Sequence, residues 1–262
     1  MDILFTYLTL GALAGLLSGL FGIGGGLILV PLLAWSFTQQ GMNTEILMIM
    51  AIATSLSTII VTALSSIRAH HKRSAIDWTW VTSFAPGLLV GSIIGTTIAE
   101  NLPANTLRLI FAVFLFCVTA QMFFSKSQNN QQIQISLLIR SSVATVIGAL
   151  SAILGIGGGT LTVPFLSQCG LQMKNAVAIS AACGLPIAVF SSASYVLLGW
   201  NNPLLPEATL GYIYLPAFFG IICSSLLFAP VGVMLAHRLP TEQLKRYFSL
   251  LVFIMGIKLL FS

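Results

Sequence analysis

Hydrophobic residues in this chain fall in long unbroken runs rather than in the short alternations of a half-buried strand or a half-buried helix. Windows of bilayer length cover residues 45–67, 77–99, 104–124, 174–199, 209–236 and 241–261, and short polar joins such as 68–74, 100–103 and 237–240 separate them. Two further apolar stretches, 3–38 and 135–169, are interrupted by glycine. The first carries Gly22-Ile23-Gly24-Gly25-Gly26 and runs on to Pro31; the second carries Gly155-Ile156-Gly157-Gly158-Gly159 and runs on to Pro164. A serine, Ser18 or Ser151, stands four residues before the first glycine of each. Each glycine in a helix interior costs about 1 kcal/mol relative to alanine, so both stretches predict a broken helix. In hydrocarbon such a break is tolerated only where it is buried in protein or lines a polar cavity.

The two halves correspond beyond the glycines. Ala51-Ile52-Ala53-Thr54-Ser55 matches Ala176-Val177-Ala178-Ile179-Ser180, and Leu102-Pro103 with Leu107-Arg108 matches Leu239-Pro240 with Leu244-Lys245. The polar stretch 127–132 marks the seam, giving a first transmembrane repeat over 1–128 and a second over 129–262 within one membrane domain. If each broken segment crossed the bilayer once, the basic residues would divide six to five between the two faces. If each is instead a hairpin that returns, Arg68, Lys72, Arg73, Lys126, Arg140, Lys174, Arg238, Lys245 and Arg246 share one side against Arg108 and Lys258. The positive-inside rule selects the second arrangement. The expected fold is therefore an all-α polytopic membrane protein of two inverted repeats, each a Gly-broken helical hairpin plus three transmembrane helices.

Composition sharpens this. Hydrophobic residues make up 57% and charged residues 6% of the 262 positions, against about 25% charge in soluble domains, which excludes a water-soluble fold. The net charge of +5 reads as membrane orientation, not nucleic-acid binding, because the basic residues lie between spans. Met1-Asp2 opens into an apolar run without a basic leader, so no cleaved signal peptide is expected. Cys117, Cys169, Cys183 and Cys223 have neither pairing nor ligand spacing and read as small hydrophobes. His70-His71-Lys72-Arg73 reads as an anchor at the inner face, and Trp35, Trp78, Trp80 and Trp200 sit near span ends, where interfacial aromatics belong. Glycines four apart (Gly11, Gly15 and Gly19; Gly87, Gly91 and Gly95), and Ala144, Gly148 and Ala152 at the same spacing, predict close helix crossings.

A helix that restarts after glycine exposes unpaired N–H groups and the positive end of its dipole, with no side chain blocking an approaching anion. Paired breaks in two repeated halves point to a transporter's binding site near mid-bilayer. The candidate substrate-binding residues are Gly22, Gly24, Gly25, Gly26 and Ser55 in the first half, and Gly155, Gly157, Gly158, Gly159 and Ser180 in the second, with Thr54 as a further hydroxyl. No catalytic residue, metal ligand or cofactor is expected. A dinucleotide fingerprint fails because the third glycine is misplaced and membrane spans surround it. Gly15-Leu16-Leu17-Ser18-Gly19 resembles the nucleophile motif of rhomboid proteases, but His70, His71 and His237 all lie in or beside joins, so no histidine base is in reach.

The doubled Gly-Ile-Gly-Gly-Gly, with 51–55, its partner 176–180 and Gly184-Leu185-Pro186-Ile187-Ala188, resembles the TauE/SafE (sulfite exporter, TSUP) family from end to end. The resemblance implies a multi-pass transporter in a bacterial or archaeal plasma membrane, carrying small sulfur-containing anions such as sulfite and organosulfonates. It places the substrate on the two glycine clusters with Ser55 and Ser180. The chain departs from the family pattern at Ile179, where the first half has Thr54. The expected partners are the small anionic substrate and the lipid bilayer, with homo-oligomerisation left open. The alternatives are an anion channel of the same fold and a non-transporting membrane scaffold.

Overall fold

A computed structural model describes residues 3–21, 25–72, 74–124, 135–236 and 241–261. Gly22, Gly24, Arg73, Lys126, Arg238, His237 and the expected boundary at 128/129 lie outside the described residues. The first half comprises α1 (Ile3–Phe21), α2 (Gly26–Gln39), α3 (Leu47–His71), α4 (Trp78–Asn101) and α5 (Ala104–Phe124). The second comprises α6 (Leu137–Leu154), α7 (Gly159–Gln168), α8 (Met173–Gly199), a hairpin of β1 (Thr209–Leu210) and β2 (Ile213–Tyr214), α9 (Leu215–Ala236) and α10 (Thr241–Phe261). Among the described residues, α3, α4, α5, α6 and α8 contain stretches long and apolar enough to cross a membrane.

Local chemistry fixes several ends. The Asp77 carboxylate accepts from the Thr79 N–H at 2.9 Å and caps α4, and the Ser136 hydroxyl accepts from the Ile139 N–H at 3.4 Å and caps α6. Gly155 ends α6 in the left-handed region, at φ +67°, where a side chain would be strained.

Helices α3 and α8 form the centre. Met50, Ala51, Ile52, Ala53, Leu56, Ala178 and Ile179 are all fully buried, whereas Leu138, Val146, Leu197 and Leu227 are exposed on the periphery. An apolar periphery around an apolar core is what a lipid solvent demands, because every lipid-facing side chain replaces a tail contact and not a water.

Close packing at small residues pairs the outer helices. A methyl group on Gly87 would press on Ser141 and Ala144, one on Gly91 on Thr145 and Ala149, and one on Gly95 on Ala149, so α4 and α6 run parallel in backbone contact. Gly220 meets Tyr7, Gly11 meets Ile221 and Ser224, and Gly15 meets Ser225, so α1 and α9 do the same. Both broken segments double back. Near the start of α1, the Tyr7 ring meets Phe37 of α2 edge-on at 6.4 Å, and its hydroxyl accepts from Gln40 Nε2 at 2.7 Å. The α6–α7 segment does likewise: Phe165 of α7 lies 5.9 Å from Phe84 of α4, and the guanidinium of Arg140, at the start of α6, stacks 3.9 Å from Trp80 of α4.

One expectation fails locally. The apolar window 209–236 reads as a single helix, but its first six residues form the antiparallel hairpin, with Thr209 opposite Tyr214 and Leu210 opposite Ile213. Gly211 turns it at φ +55°. The Tyr212 N–H donates to the Tyr195 carbonyl at 3.2 Å, and the Tyr214 N–H to the Thr54 hydroxyl at 3.0 Å, so the hairpin is pinned to both central helices.

Candidate functional site

The second break is described in full. Helix α6 stops at Gly155, whose N–H, with that of Ile156, returns to the Ser151 carbonyl. Helix α7 starts after Gly158, at φ +74°, whose carbonyl accepts from the N–H groups of Leu161 (3.1 Å) and Thr162 (2.8 Å). The N–H groups of Gly159 and Thr160 therefore stand ahead of the helix's own ladder. In the first break, the Gly25 carbonyl accepts from Ile28 (3.2 Å) and Leu29 (2.9 Å), which leaves the N–H groups of Gly26 and Leu27 ahead of the α2 ladder.

The structure brings the breaks together. A methyl group on Gly26 would stand 2.5 Å from the Gly155 carbonyl oxygen and 2.9 Å from Ile156 Cα, so the first turn of α2 rests directly on the α6–α7 turn. The contact is backbone on backbone, which only glycine allows. The space beside it is not bare: Ile59 of α3 would meet a methyl on Gly26 at 3.0 Å and one on Gly157 at 2.9 Å. From the other side, Gly184 of α8 abuts the Gly157 carbonyl, at 2.5 Å from an added methyl, and Ile187 abuts Gly158.

The hydroxyls divide into committed and free. Ser55 donates to the Gly155 carbonyl at 2.9 Å, across the two halves, so its hydrogen holds the opposite break in place. Thr54 accepts from Tyr214. Ser180, the counterpart of Ser55 in the second half, is buried, and its hydroxyl has no partner among the described residues. Sequence reasoning missed the roles of Thr162 and Ile59, and it took Ser151 only as a flank of the glycines. Ser151 and Thr162 are fully buried with unpartnered hydroxyls, and the Thr160 hydroxyl is unpartnered too. Their signal in the sequence was slight, since hydroxyls in apolar helices usually bond a carbonyl one turn back.

Removing the Ser55–Gly155 bond gives a testable outcome. Ser55→Ala leaves the buried Gly155 carbonyl one donor short, a penalty of about 1–3 kcal/mol. The melting temperature of the purified chain in detergent is expected to fall by several degrees, and Ser55→Thr, which restores a hydroxyl, is expected to recover most of it.

Comparison with known proteins places the chain. The family profile described as sulfite exporter TauE/SafE matches residues 7–259. A Haemophilus influenzae protein described as a probable membrane transporter is 37% identical over 98% of this chain and 99% of its own length. Relatives with the same description from Methanocaldococcus jannaschii and Bacillus subtilis are 27% and 25% identical, over 95% and 97% of this chain and 92% and 96% of their own lengths. No solved structure matches.

Proposed function

The chain belongs to the sulfite exporter TauE/SafE family of multi-pass membrane transporters, and within that family we propose that it is a secondary carrier of small sulfur-containing anions, sulfite or organosulfonates. In this reading the halves 1–128 and 129–262 are inverted repeats that rock about the central α3–α8 pair. Helix directions support the inversion: each half has five helical elements, α1 runs parallel to α9 and α4 to α6, and both broken segments return to the side from which they start. The family description supports the sulfur-anion class.

The observation that carries the proposal is the meeting of the two breaks, α2's first turn upon Gly155-Ile156, at the join of the halves. A relative movement of the halves must open or close this contact, which couples the anion site to alternating access. The binding residues are the glycines of both breaks with Ser180, while Ser55 positions the second break. Substrate contacts made by backbone amides fit a site without a buried basic side chain.

The test is sulfite counterflow in proteoliposomes. A carrier preloaded with unlabelled sulfite accumulates labelled sulfite transiently above its equilibrium level, and uptake saturates. Linear, non-saturating flux without counterflow would identify a channel, and no flux across sulfite, sulfonates, sulfate and carboxylates would leave a scaffold.

A further inference from the structure

We infer that the α6–α7 break is an oxyanion subsite built from the amides of α7's first turn and the hydroxyls of Ser151 and Thr162, and that it accepts singly charged oxyanions in preference to doubly charged ones. The inference rests on the anion-carrier reading for its place in transport, but it makes a claim about binding that stands or falls separately.

The hydroxyls carry the first step. Thr58, Ser92, Thr119 and Ser224 each return their hydrogen to a carbonyl three or four residues back, the ordinary resolution in an apolar helix. Ser151 and Thr162 do not, although both are fully buried. They come from different helices and converge: a methyl group on Gly158 would lie 3.6 Å from Ser151 Oγ and 3.4 Å from Thr162 Oγ1. Two unmet hydroxyls aimed at one glycine at a helix start are a set of donors without a recipient.

The sign of the ligand follows from what is already used. At the end of α6, the Ser151 carbonyl accepts the amides of Gly155 and Ile156, the Ala152 carbonyl accepts the Tyr195 hydroxyl, and the Gly155 carbonyl accepts the Ser55 hydroxyl. These three carbonyls of the turn are already engaged by donors of the chain itself. The amides of Gly159 and Thr160 stand ahead of the α7 ladder, and the hydroxyls can turn their hydrogens inward. The spare capacity is donor capacity, which an anion satisfies.

The magnitude of the charge follows from what is missing nearby. Helices α2 and α7 carry no charged side chain, and the described basic residues of α3, α6 and α8 stand towards helix ends: Arg68, His70, His71, Arg140 and Lys174. The positive end of a helix dipole amounts to about half a charge. Desolvation cost grows with the square of the charge, so a buried dianion costs about four times what a monoanion costs, with the same dipoles to offset it.

The experiment is ligand binding to the purified full chain in detergent, followed by calorimetry and thermal shift, with methanesulfonate as the singly charged probe and sulfate as the doubly charged one. Methanesulfonate is expected to bind at least about tenfold more tightly than sulfate. Ser151→Ala and Thr162→Val are each expected to weaken methanesulfonate by about tenfold, the typical worth of a hydroxyl bonded to a charged group, while Thr162→Ser retains binding. Sulfate binding equal to methanesulfonate, or unchanged affinity in both variants, would overturn the subsite, as would no binding of either probe. Should Ser151→Ala fail to fold, the Thr162→Val and Thr162→Ser pair decides the matter. Binding with this pattern but no flux would sink the carrier reading alone, and flux with unaltered binding in the variants would sink the subsite alone.

Discussion

Gly26→Ala is expected to lower sulfite flux by about tenfold or more while the protein still inserts into the membrane. The added methyl meets the Gly155 carbonyl oxygen at 2.5 Å and Ile156 Cα at 2.9 Å. Both are backbone atoms held by the Gly155 and Ile156 bonds to the Ser151 carbonyl and by Ser55, so no flexible side-chain tip can swing away. Forced overpacking of this kind costs about 1–3 kcal/mol, and about 1.4 kcal/mol is already a tenfold shift in an equilibrium. The strain falls on the state in which α2 rests on the α6–α7 turn, which in the proposed carrier is the state that holds the anion. Gly41→Ala is the control: unlike Gly26, Gly41 has a positive φ, +69°, so alanine there carries a local backbone strain, but its methyl meets nothing within 4 Å. Flux of that variant is expected to stay near wild type, and equal loss in both would show that glycine content, not the contact between breaks, is what matters.

The second large effect is on folding. Gly91→Val places three carbons where α4 and α6 touch backbone to backbone; even the first would press on the Thr145 carbonyl and stand 2.9 Å from the Ala149 nitrogen. In lipid, helix association depends on this close approach because apolar surface alone gives no preference for protein over lipid tails. A loss of about 2–4 kcal/mol is expected, seen as a lower melting temperature in detergent and less protein in the membrane fraction. Val146→Leu, on the lipid-exposed face of α6, is expected to change neither.

Much of the architecture could be read from residue order, for identifiable reasons. Long apolar windows bounded by Pro, Gly and charge gave 104–124 and 241–261 with the bounds later found for α5 and α10. The glycine clusters marked the ends of α1 and α6 because no helix former competes with four glycines in five positions. The spacing of Gly87, Gly91 and Gly95 and of Ala144 and Gly148 announced close crossings, but not that these two helices would be partners; small residues state that a backbone approaches, not which one. The hairpin at 209–214 was hidden because Leu210, Tyr212, Ile213 and Tyr214 are as apolar as a helix start, and hydropathy does not register backbone conformation. Gly211, among β-branched and aromatic residues, was the available clue.

The candidate site was legible in outline and not in detail. The repeat singled out Gly26, Gly155 and Ser55, which the structure brings together, yet it could not reveal that Ser55 reaches across to the other half's Gly155 carbonyl. Nor could it reveal that Ile59, the first-half counterpart of Gly184, fills space beside Gly26 and Gly157 that looks open in a bare run of glycines. Thr162 escaped notice because a threonine in Gly159-Thr160-Leu161-Thr162 is unremarkable until its missing partner is seen.

The most direct measurement follows a cysteine at position 156 in a chain otherwise freed of Cys117, Cys169, Cys183 and Cys223. Ile156 is 2% exposed and sits where the first turn of α2 meets the second break. A membrane-impermeant thiol reagent is predicted to label Ile156→Cys slowly from either side of the membrane, with methanesulfonate, which does not react with the reagent, slowing the reaction from both. Labelling from one side only, or at a rate indifferent to the anion, would contradict an anion site alternately opened at the meeting of the two breaks.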